Sequence, residues 1–363
     1  MKIYYTLGFY LDPSTGRGAG SLAKIANLSR LSEDFHAESN PKFLTRLYLI
    51  NKVFGILRLF LADVAFLVKN KNDLSVVIVR DNVFFPISLA RAFGIPVCSE
   101  VHAIPWQEVS TSVSKKIFMK AYKKKYLSLL RRSSMIIFNH PALQAFYTEQ
   151  YRIRQPSIVT YNGGTFANEL RSINRRAESS ILFVYAGNVY PWHGVHLLLP
   201  VFDRLSESID LKLLLVGSTD TEYSRKMKRE FEKRQYCEVI DERDPDTLRR
   251  YIRCSDYCLL PTENTRTSPG NPIKLFDYLA EGKRIITQEK TFGYSDIVAE
   301  LDAGVCVDFF DPERACRQLL ACGITKSTQQ NEQRIFYEAC ASHSWSERMK
   351  VWIEFFLNQG VSK

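Results

Sequence analysis

Residues 271–282 read Asn271-Pro272-Ile273-Lys274-Leu275-Phe276-Asp277-Tyr278-Leu279-Ala280-Glu281-Gly282, and a strand-like run, Arg284–Thr287, follows at once. Asn271 is a good N-cap and Pro272 suits the first helical position, so the stretch predicts a helix that feeds a strand. Ser268-Pro269-Gly270 leads into it. A helix start presents unpaired N–H groups and a partial positive charge, and so holds anions. Lys274 falls in the first turn, where a cation opposes the helix dipole. An anion bound at Gly270, Asn271 and Ile273 would offset that cost. Asp277 lies three residues further on, on the same helix face. An anion grip followed by a carboxylate suits a diphosphate and a sugar hydroxyl. The competing reading is an ordinary capped surface helix with an i,i+3 ion pair.

Outward from this helix, strand-like apolar runs alternate with helical patterns along the chain. The expected strands are Lys2–Leu7, Ser75–Val79, Pro96–Val101, Met135–Phe138, Ile158–Tyr161, Ile181–Tyr185, Leu211–Val216, Tyr236–Ile240, Tyr257–Leu260, Arg284–Thr287 and Gly304–Val307. Such alternation argues for an α/β protein with parallel sheets covered by helices on both faces. The length, 363 residues, suits about two domains. The polar stretch 166–180 follows Asn162-Gly163-Gly164, lacks apolar periodicity and reads as a linker. The expected organisation is therefore an N-terminal unit over 1–165 and a second unit over 181–344, with 345–363 as a last helix.

Composition is ordinary for a globular chain, with 45% hydrophobic and 24% charged residues. The N-terminus enters a strand directly, without a basic–apolar–small leader pattern, and this predicts a cytoplasmic protein. Eight scattered cysteines include no Cys-x-x-Cys pair, and read as buried reduced thiols. Leu47–Val68 is the most apolar stretch, but Lys52, Arg58 and Asp63 interrupt it. It reads as a buried or amphipathic helix rather than a membrane span.

The net charge of +10 favours nucleic acid, anionic lipid or phosphorylated substrates. Its location narrows the choice. Residues 115–132 carry eight basic side chains and no acid, with Ile117, Tyr122, Tyr126, Leu129 and Leu130 interleaved at near-helical spacing. That pattern suits a helix on an anionic membrane surface, contacting it through Lys116, Lys120, Lys123, Lys124 and Lys125. A core-packing helix with a solvated basic face is the competing reading. No nucleic-acid motif accompanies the patch, so nucleic acid is not an expected partner.

Three further segments are candidates for chemistry. Thr15-Gly16-Arg17-Gly18-Ala19-Gly20 follows the first strand too late for a dinucleotide fingerprint, but as a loop it would bring backbone N–H groups close to a ligand. Glu100 and His102 end a strand at the edge where open α/β sheets bind ligands, and share a face by alternation. A histidine there suits proton transfer or the orientation of a substrate hydroxyl. Gly187 and Asn188, followed by His193, close the first strand of the second unit. His193 and His196 lack a third ligand, so neither a metal nor another cofactor is expected.

These residues together resemble the GT-B glycosyltransferases, specifically the retaining family 4 enzymes of bacterial surface polysaccharide and glycolipid synthesis. The markers are Arg80-Asp81, Glu100-Val101-His102, Asn162-Gly163, Gly187-Asn188 with Trp192-His193-Gly194, Pro261, Pro272–Tyr278 and the late Trp345. The resemblance covers nearly the whole chain. It implies two Rossmann-like domains facing a cleft, with the C-terminal helix crossing back to the first. It implies a hexosyltransferase-type reaction from a nucleoside-diphosphate sugar, UDP by family precedent, to a saccharide or lipid-linked saccharide, for capsule or lipopolysaccharide. Asp277 fills the position of the family's second carboxylate, which contacts ribose. Pro269 occupies the first, so Glu263 or main-chain amides at Gly270 and Ile273 are expected to substitute. Asn188 and His193 stand where an Arg and a Lys are usual, leaving Lys274 and Arg266 to balance the diphosphate. His102 is expected to contact the donor sugar or accept the hydroxyl proton. Peripheral attachment to the inner face of the plasma membrane is the matching location. A nucleotide-sugar epimerase of the same fold, or a non-catalytic nucleotide-sugar scaffold, are the alternatives.

Overall fold

The computed structural model describes residues 1–8, 16–32, 34–39, 48–106, 113–171, 179–217, 219–242, 244–263, 272–291 and 293–361, with side chains omitted at 16–20, 48–53 and 113–118. The chain divides into two compact units: Met1–Asn162 together with Trp345–Lys363, and Gly163–Arg266 together with Pro272–Ser344.

In the first unit the order is β1 (Lys2–Leu7), α1 (Gly16–Leu31), β2 (Asp34–Ser39), α2 (Tyr48–Asn70), β3 (Val76–Arg80), α3 (Ile87–Ala92), β4 (Val97–Val101), α4 (Val113–Arg132), β5 (Met135–Phe138), α5 (Pro141–Tyr151) and β6 (Ser157–Val159). The strands form one parallel sheet in the order β2-β1-β3-β4-β5-β6. Every residue of β3 and β4 is buried, as helices on both faces of a parallel sheet require. Leu28 of α1 packs on the face carrying Ile3, Tyr5, Val76 and Ile78. Leu67, Ile87 and Leu129, from α2, α3 and α4, pack on the opposite face with Tyr4, Val77 and Val79.

The second unit contains β7 (Ile181–Ala186), α6 (Leu198–Leu205), β8 (Leu211–Val216), α7 (Glu222–Phe231), β9 (Cys237–Ile240), α8 (Pro245–Cys254), β10 (Tyr257–Leu260), α9 (Ile273–Leu279), β11 (Arg284–Gln288), α10 (Ser295–Glu300), β12 (Gly304–Val307), α11 (Pro312–Ala321) and α12 (Gln329–His343). Its parallel sheet runs β12-β11-β10-β7-β8-β9, the doubly wound Rossmann order. The last helix, α13 (Trp345–Asn358), belongs to the first unit, where Trp345, Met349, Trp352 and Phe356 join the core around Ile3 and Tyr5.

Several expectations need correction. Strand β2 was not among the expected strands, because Asp34-Phe35-His36-Ala37-Glu38-Ser39 is polar. It is an edge strand that pairs with β1 alone, where burial demands little of the sequence. The glycines Gly16, Gly18 and Gly20 open helix α1 rather than a free loop. Pro272, with φ −75° and ψ 137°, is the N-cap of α9, so the helix starts one residue later than expected, at Ile273. None of the eight cysteines forms a disulfide, but Cys254 and Cys322 are exposed rather than buried. Of the interleaved residues of α4, Tyr126 and Leu130 pack with Val101, Phe138 and Tyr147, Tyr122 packs against them, and Leu129 packs with Tyr4 and Val77; no side chain is described for Ile117. No helix among the described residues is long and apolar enough to cross a membrane.

Candidate functional site

Strand order in each unit reverses next to its first strand, at β1/β3 in one and β7/β10 in the other. The carboxyl ends of the strands beside such a point leave a crevice that binds ligands. Glu100 and His102 lie at that edge of the first unit, and Gly187 and Asn188 at that of the second.

In the first unit, Gly8 follows β1 and Asp81 follows β3. A Cβ on Gly8 would lie 2.1 Å from the Asp81 carbonyl oxygen, so only glycine fits. Asp81 itself has φ 55°, the left-handed region that aspartate tolerates better than most residues. Beneath this turn, Arg80 of β3 and Glu100 of β4 are register partners and both are buried.

Glu100 accepts hydrogen bonds from the Tyr5 hydroxyl, the Lys24 ammonium and His102 Nε2. Burial alone would raise the Glu100 pKa. The charges of Lys24 and Arg80 and the hydrogen bond from His102 instead hold it well below the usual carboxylate range. Burial lowers Lys24 to about 8 despite Glu100. Its Nζ also lies 5.1 Å from the centroid of the Trp345 ring and 5.5 Å from that of Trp352, so α13 completes the cation's surroundings. Burial, reinforced by Arg80 and Lys24, lowers His102 to about 3. The imidazole is therefore neutral, with Nε2–H donating to Glu100 and Nδ1 accepting from Asn139 Nδ2 at 3.0 Å. Glu100 and His102 thus come together as expected. Tyr5, Lys24 and Asn139 were not anticipated. The signal for Lys24 was its helical spacing: it shares the buried face of α1 with Ser21 and Leu28, where a solvated lysine does not belong.

In the second unit, Gly187 (φ 127°) ends β7 in a conformation that favours glycine. A Cβ there would lie 2.6 Å from Lys274 Cε. Lys274 donates to the Tyr185 hydroxyl, and its Nζ is 3.3 Å from the Asn188 carbonyl oxygen and 3.3 Å from His193 Nδ1. It also sits 4.3 Å from the Tyr185 ring centroid. His193 Nδ1 donates to the same Asn188 oxygen at 2.6 Å. Tyr278, fully buried, accepts from the Ala186 amide at 3.0 Å and so pins α9 against β7. Gly187, Asn188, His193 and Lys274 are therefore assembled at one point, with Tyr185 as the unforeseen floor beneath them.

Glu263 pairs with His196 at 2.9 Å, and its amide donates to the Trp192 carbonyl at 3.2 Å. Asp277 lies one turn beyond Lys274. Burial raises its pKa to about 6; Arg249 and Lys274 oppose the rise and Glu281 adds to it. Ile273 is the first residue of α9, and Gly18 lies in the first turn of α1. Arg266, Gly270 and Asn271 lie outside the described residues, and no side chain is described for Lys116. On α4, Lys120, Lys124 and Lys125 are exposed, while Lys123 Nζ sits 5.2 Å from the Trp106 ring centroid and 4.8 Å from that of Tyr151.

Residues 166–334, which cover most of the second unit, match the family model described as Glycosyl transferases group 1. A lipopolysaccharide 1,2-N-acetylglucosaminetransferase of Salmonella typhimurium is 27% identical over 46% of this chain and 46% of its own. The match thus spans about half the length of that relative. Among solved structures, a glycosyltransferase from Rickettsia africae aligns over 100% of this chain and 99% of its own, with TM-score 0.71 and 13% identity. Anabaena HepE in complex with UDP aligns over 99% of this chain and 100% of its own, with TM-score 0.67 and 14% identity. A sucrose-phosphate synthase from Thermosynechococcus elongatus covers 99% of this chain and 98% of its own, with TM-score 0.65 and 13% identity. These likenesses show the GT-B fold, built from two Rossmann-like domains.

Proposed function

We propose that the protein is a retaining, metal-independent glycosyltransferase of family 4. In this reading it moves a sugar from a UDP-sugar to a saccharide or lipid-linked saccharide of a bacterial surface polysaccharide. The observation that carries the reading is the cluster at the end of β7, where Lys274 is held against Gly187, Asn188 and His193 by Tyr185. α9 spans only Ile273–Leu279, and its Pro272 cap makes no side-chain hydrogen bond, so the positive charge for a diphosphate comes from the ammonium more than from the helix dipole. In the reaction, the acceptor hydroxyl oxygen bonds to the anomeric carbon and the bond from that carbon to the β-phosphate oxygen breaks. The nucleoside diphosphate leaves with the electron pair and takes up the hydroxyl proton. Lys274 balances the charge that develops on the leaving diphosphate. Asp277 accepts from a ribose hydroxyl. The protein works on the cytoplasmic side of the membrane, with the basic face of α4 toward anionic lipid.

The test is thermal stabilisation by UDP, GDP, ADP, CMP and dTDP, for the wild type and Lys274→Ala. A shift with UDP that is lost in the variant supports the donor site. No shift with any nucleotide sinks it. Turnover of donor without acceptor would instead favour an epimerase, and binding without turnover on any acceptor a scaffold.

Two further results are expected. His102→Ala should lower turnover by about 10²–10⁴-fold, the range for groups that handle protons or hold reacting hydroxyls. Both ring nitrogens are engaged within the protein and the ring is neutral, which favours orientation of the donor sugar over proton removal. His102→Asn, which keeps a polar group without basicity, should then retain more activity than His102→Ala. Equal losses would return His102 to the proton-accepting role.

The second concerns pH. The ionised form of Asp277 is the hydroxyl acceptor, and its pKa is raised to about 6. Affinity for UDP-glucose, whose diphosphate does not titrate in this range, should rise as pH increases from 5 to 7, and Asp277→Asn should flatten the profile. An unchanged slope in the variant removes Asp277 from the ribose contact. For the unliganded fold the sign is opposite: stability from Asp277 is complete below the ordinary carboxylate range and lost as pH rises through about 6.

A further inference from the structure

Helix α2 exposes an apolar stripe along its outer side. Phe54, Leu57, Leu61 and Val68 are 60, 49, 57 and 51% exposed, with half-buried Val64 between the last two. Their spacing alternates three and four residues, so they form one continuous line. The opposite side, with Leu59, Asp63 and Leu67, is buried; Asp63 accepts from Tyr4 at 2.7 Å and Asn82 at 2.8 Å. The helix is thus anchored on one side and apolar toward solvent on the other.

The charge of the layer decides what suits this stripe. Helices α2, α3 and α4 cover the same face of the sheet. They carry three, one and eight basic residues, and their one acid is the buried Asp63. The nearby acids Glu38 and Asp34 lie on the edge strand β2, where Glu38 is 3.9 Å from Arg58. A second copy would bring like charge against Arg58, Lys69 and the basic face of α4. An anionic bilayer offers both an apolar interior and a negative surface.

We propose that α2 is the lipid-inserting element of this protein. Phe54, Leu57, Leu61 and Val68 enter the acyl boundary of an anionic membrane, while Arg58, Lys69 and the exposed lysines of α4 meet the headgroups. Because the apolar side of α4 packs in the core, that helix offers lipid charge, and α2 supplies the apolar contact. The proposal rests on the membrane placement given above, but not on the donor site.

The test is co-sedimentation with vesicles of phosphatidylcholine containing phosphatidylglycerol, against phosphatidylcholine alone. Wild type should bind the anionic vesicles and bind the neutral ones much more weakly. Phe54→Gln/Leu57→Gln/Leu61→Gln should lose at least tenfold in vesicle affinity, with its circular dichroism, melting temperature and UDP-induced thermal shift unchanged. Lys120→Gln/Lys124→Gln/Lys125→Gln should also weaken binding and reduce its salt dependence. Wild-type vesicle affinity in the α2 variant overturns insertion, and if the lysine variant still loses binding, attachment by α4 charge alone stands. A dimer in sedimentation that the α2 variant abolishes, without vesicle binding by the wild type, overturns the proposal in favour of an interface between copies. If the α2 variant melts early, Leu61→Gln alone should still lower vesicle affinity severalfold, and unchanged affinity would overturn insertion.

Discussion

Lys274→Ala should lower turnover about 10²–10³-fold, the usual cost of removing one group that stabilises charge developing in the transition state. The geometry makes the expectation specific. Lys274 comes from α9, crosses to the end of β7, and is held there by the Tyr185 ring and hydroxyl and by the Asn188 carbonyl. Its charge is therefore in place before any diphosphate arrives, and little reorganisation is needed in the reaction. Lys274→Arg keeps the charge but brings a planar, wider head into the space over Gly187, where a single added carbon would already lie 2.6 Å from the lysine chain. Arginine should restore only part of the loss. Steady-state rates with UDP-glucose check both variants. Wild-type turnover in Lys274→Ala would remove the ammonium from leaving-group stabilisation.

Glu100→Ala should destabilise the first unit by about 3–5 kcal/mol, because removing one partner of a buried ion pair strands the other. Glu100 compensates Lys24 and Arg80, both buried, and binds the Tyr5 hydroxyl. Chemical denaturation of wild type and variant measures the difference. A loss below about 0.5 kcal/mol, the scale of ordinary surface changes, would show that the cluster is not held by its carboxylate. The pH dependence follows from the sign of the shift. Glu100 has a depressed pKa in the folded state, so its contribution is complete above the ordinary carboxylate range and is lost as pH falls through the lower folded value. Lys24→Met, which removes the cation and keeps an apolar chain of similar length, should return the Glu100 pKa toward the ordinary range and move that loss to higher pH.

The two variants probe different units. A chain that loses turnover in Lys274→Ala but melts normally has an intact scaffold. A chain that melts early in Glu100→Ala has lost the support of His102, and its kinetics need comparison below its own transition.

Much of the architecture could be read from the chain. Strands such as Val76–Arg80 and Leu211–Val216 are continuous apolar runs, and a parallel sheet covered on both faces leaves no other place for them. The alternation with helices settled the class; Gly187, Glu100 and His102 stood out because a glycine and polar residues at strand ends interrupt an apolar pattern, and Lys274 because a cation in a first helical turn opposes the dipole. Strand β2 was not legible, since one neighbour and an open edge place few demands on its residues.

Tertiary structure decided what periodicity cannot: which side of each amphipathic helix faces the core, and which distant side chains meet. Tyr126 and Leu130 of α4 could have faced lipid or protein, and packing against Val101 and Phe138 placed them in the core. Leu57 and Leu61 of α2 could have been core residues, and were left outside because Leu59, Asp63 and Leu67 occupy the buried side. The meeting of Tyr5, Lys24, Glu100 and the tryptophans of α13 joins residues from both ends of the chain. Local sequence determines propensity and pattern, but partners that far apart are chosen only when the sheet and its covering helices close over the same buried charge.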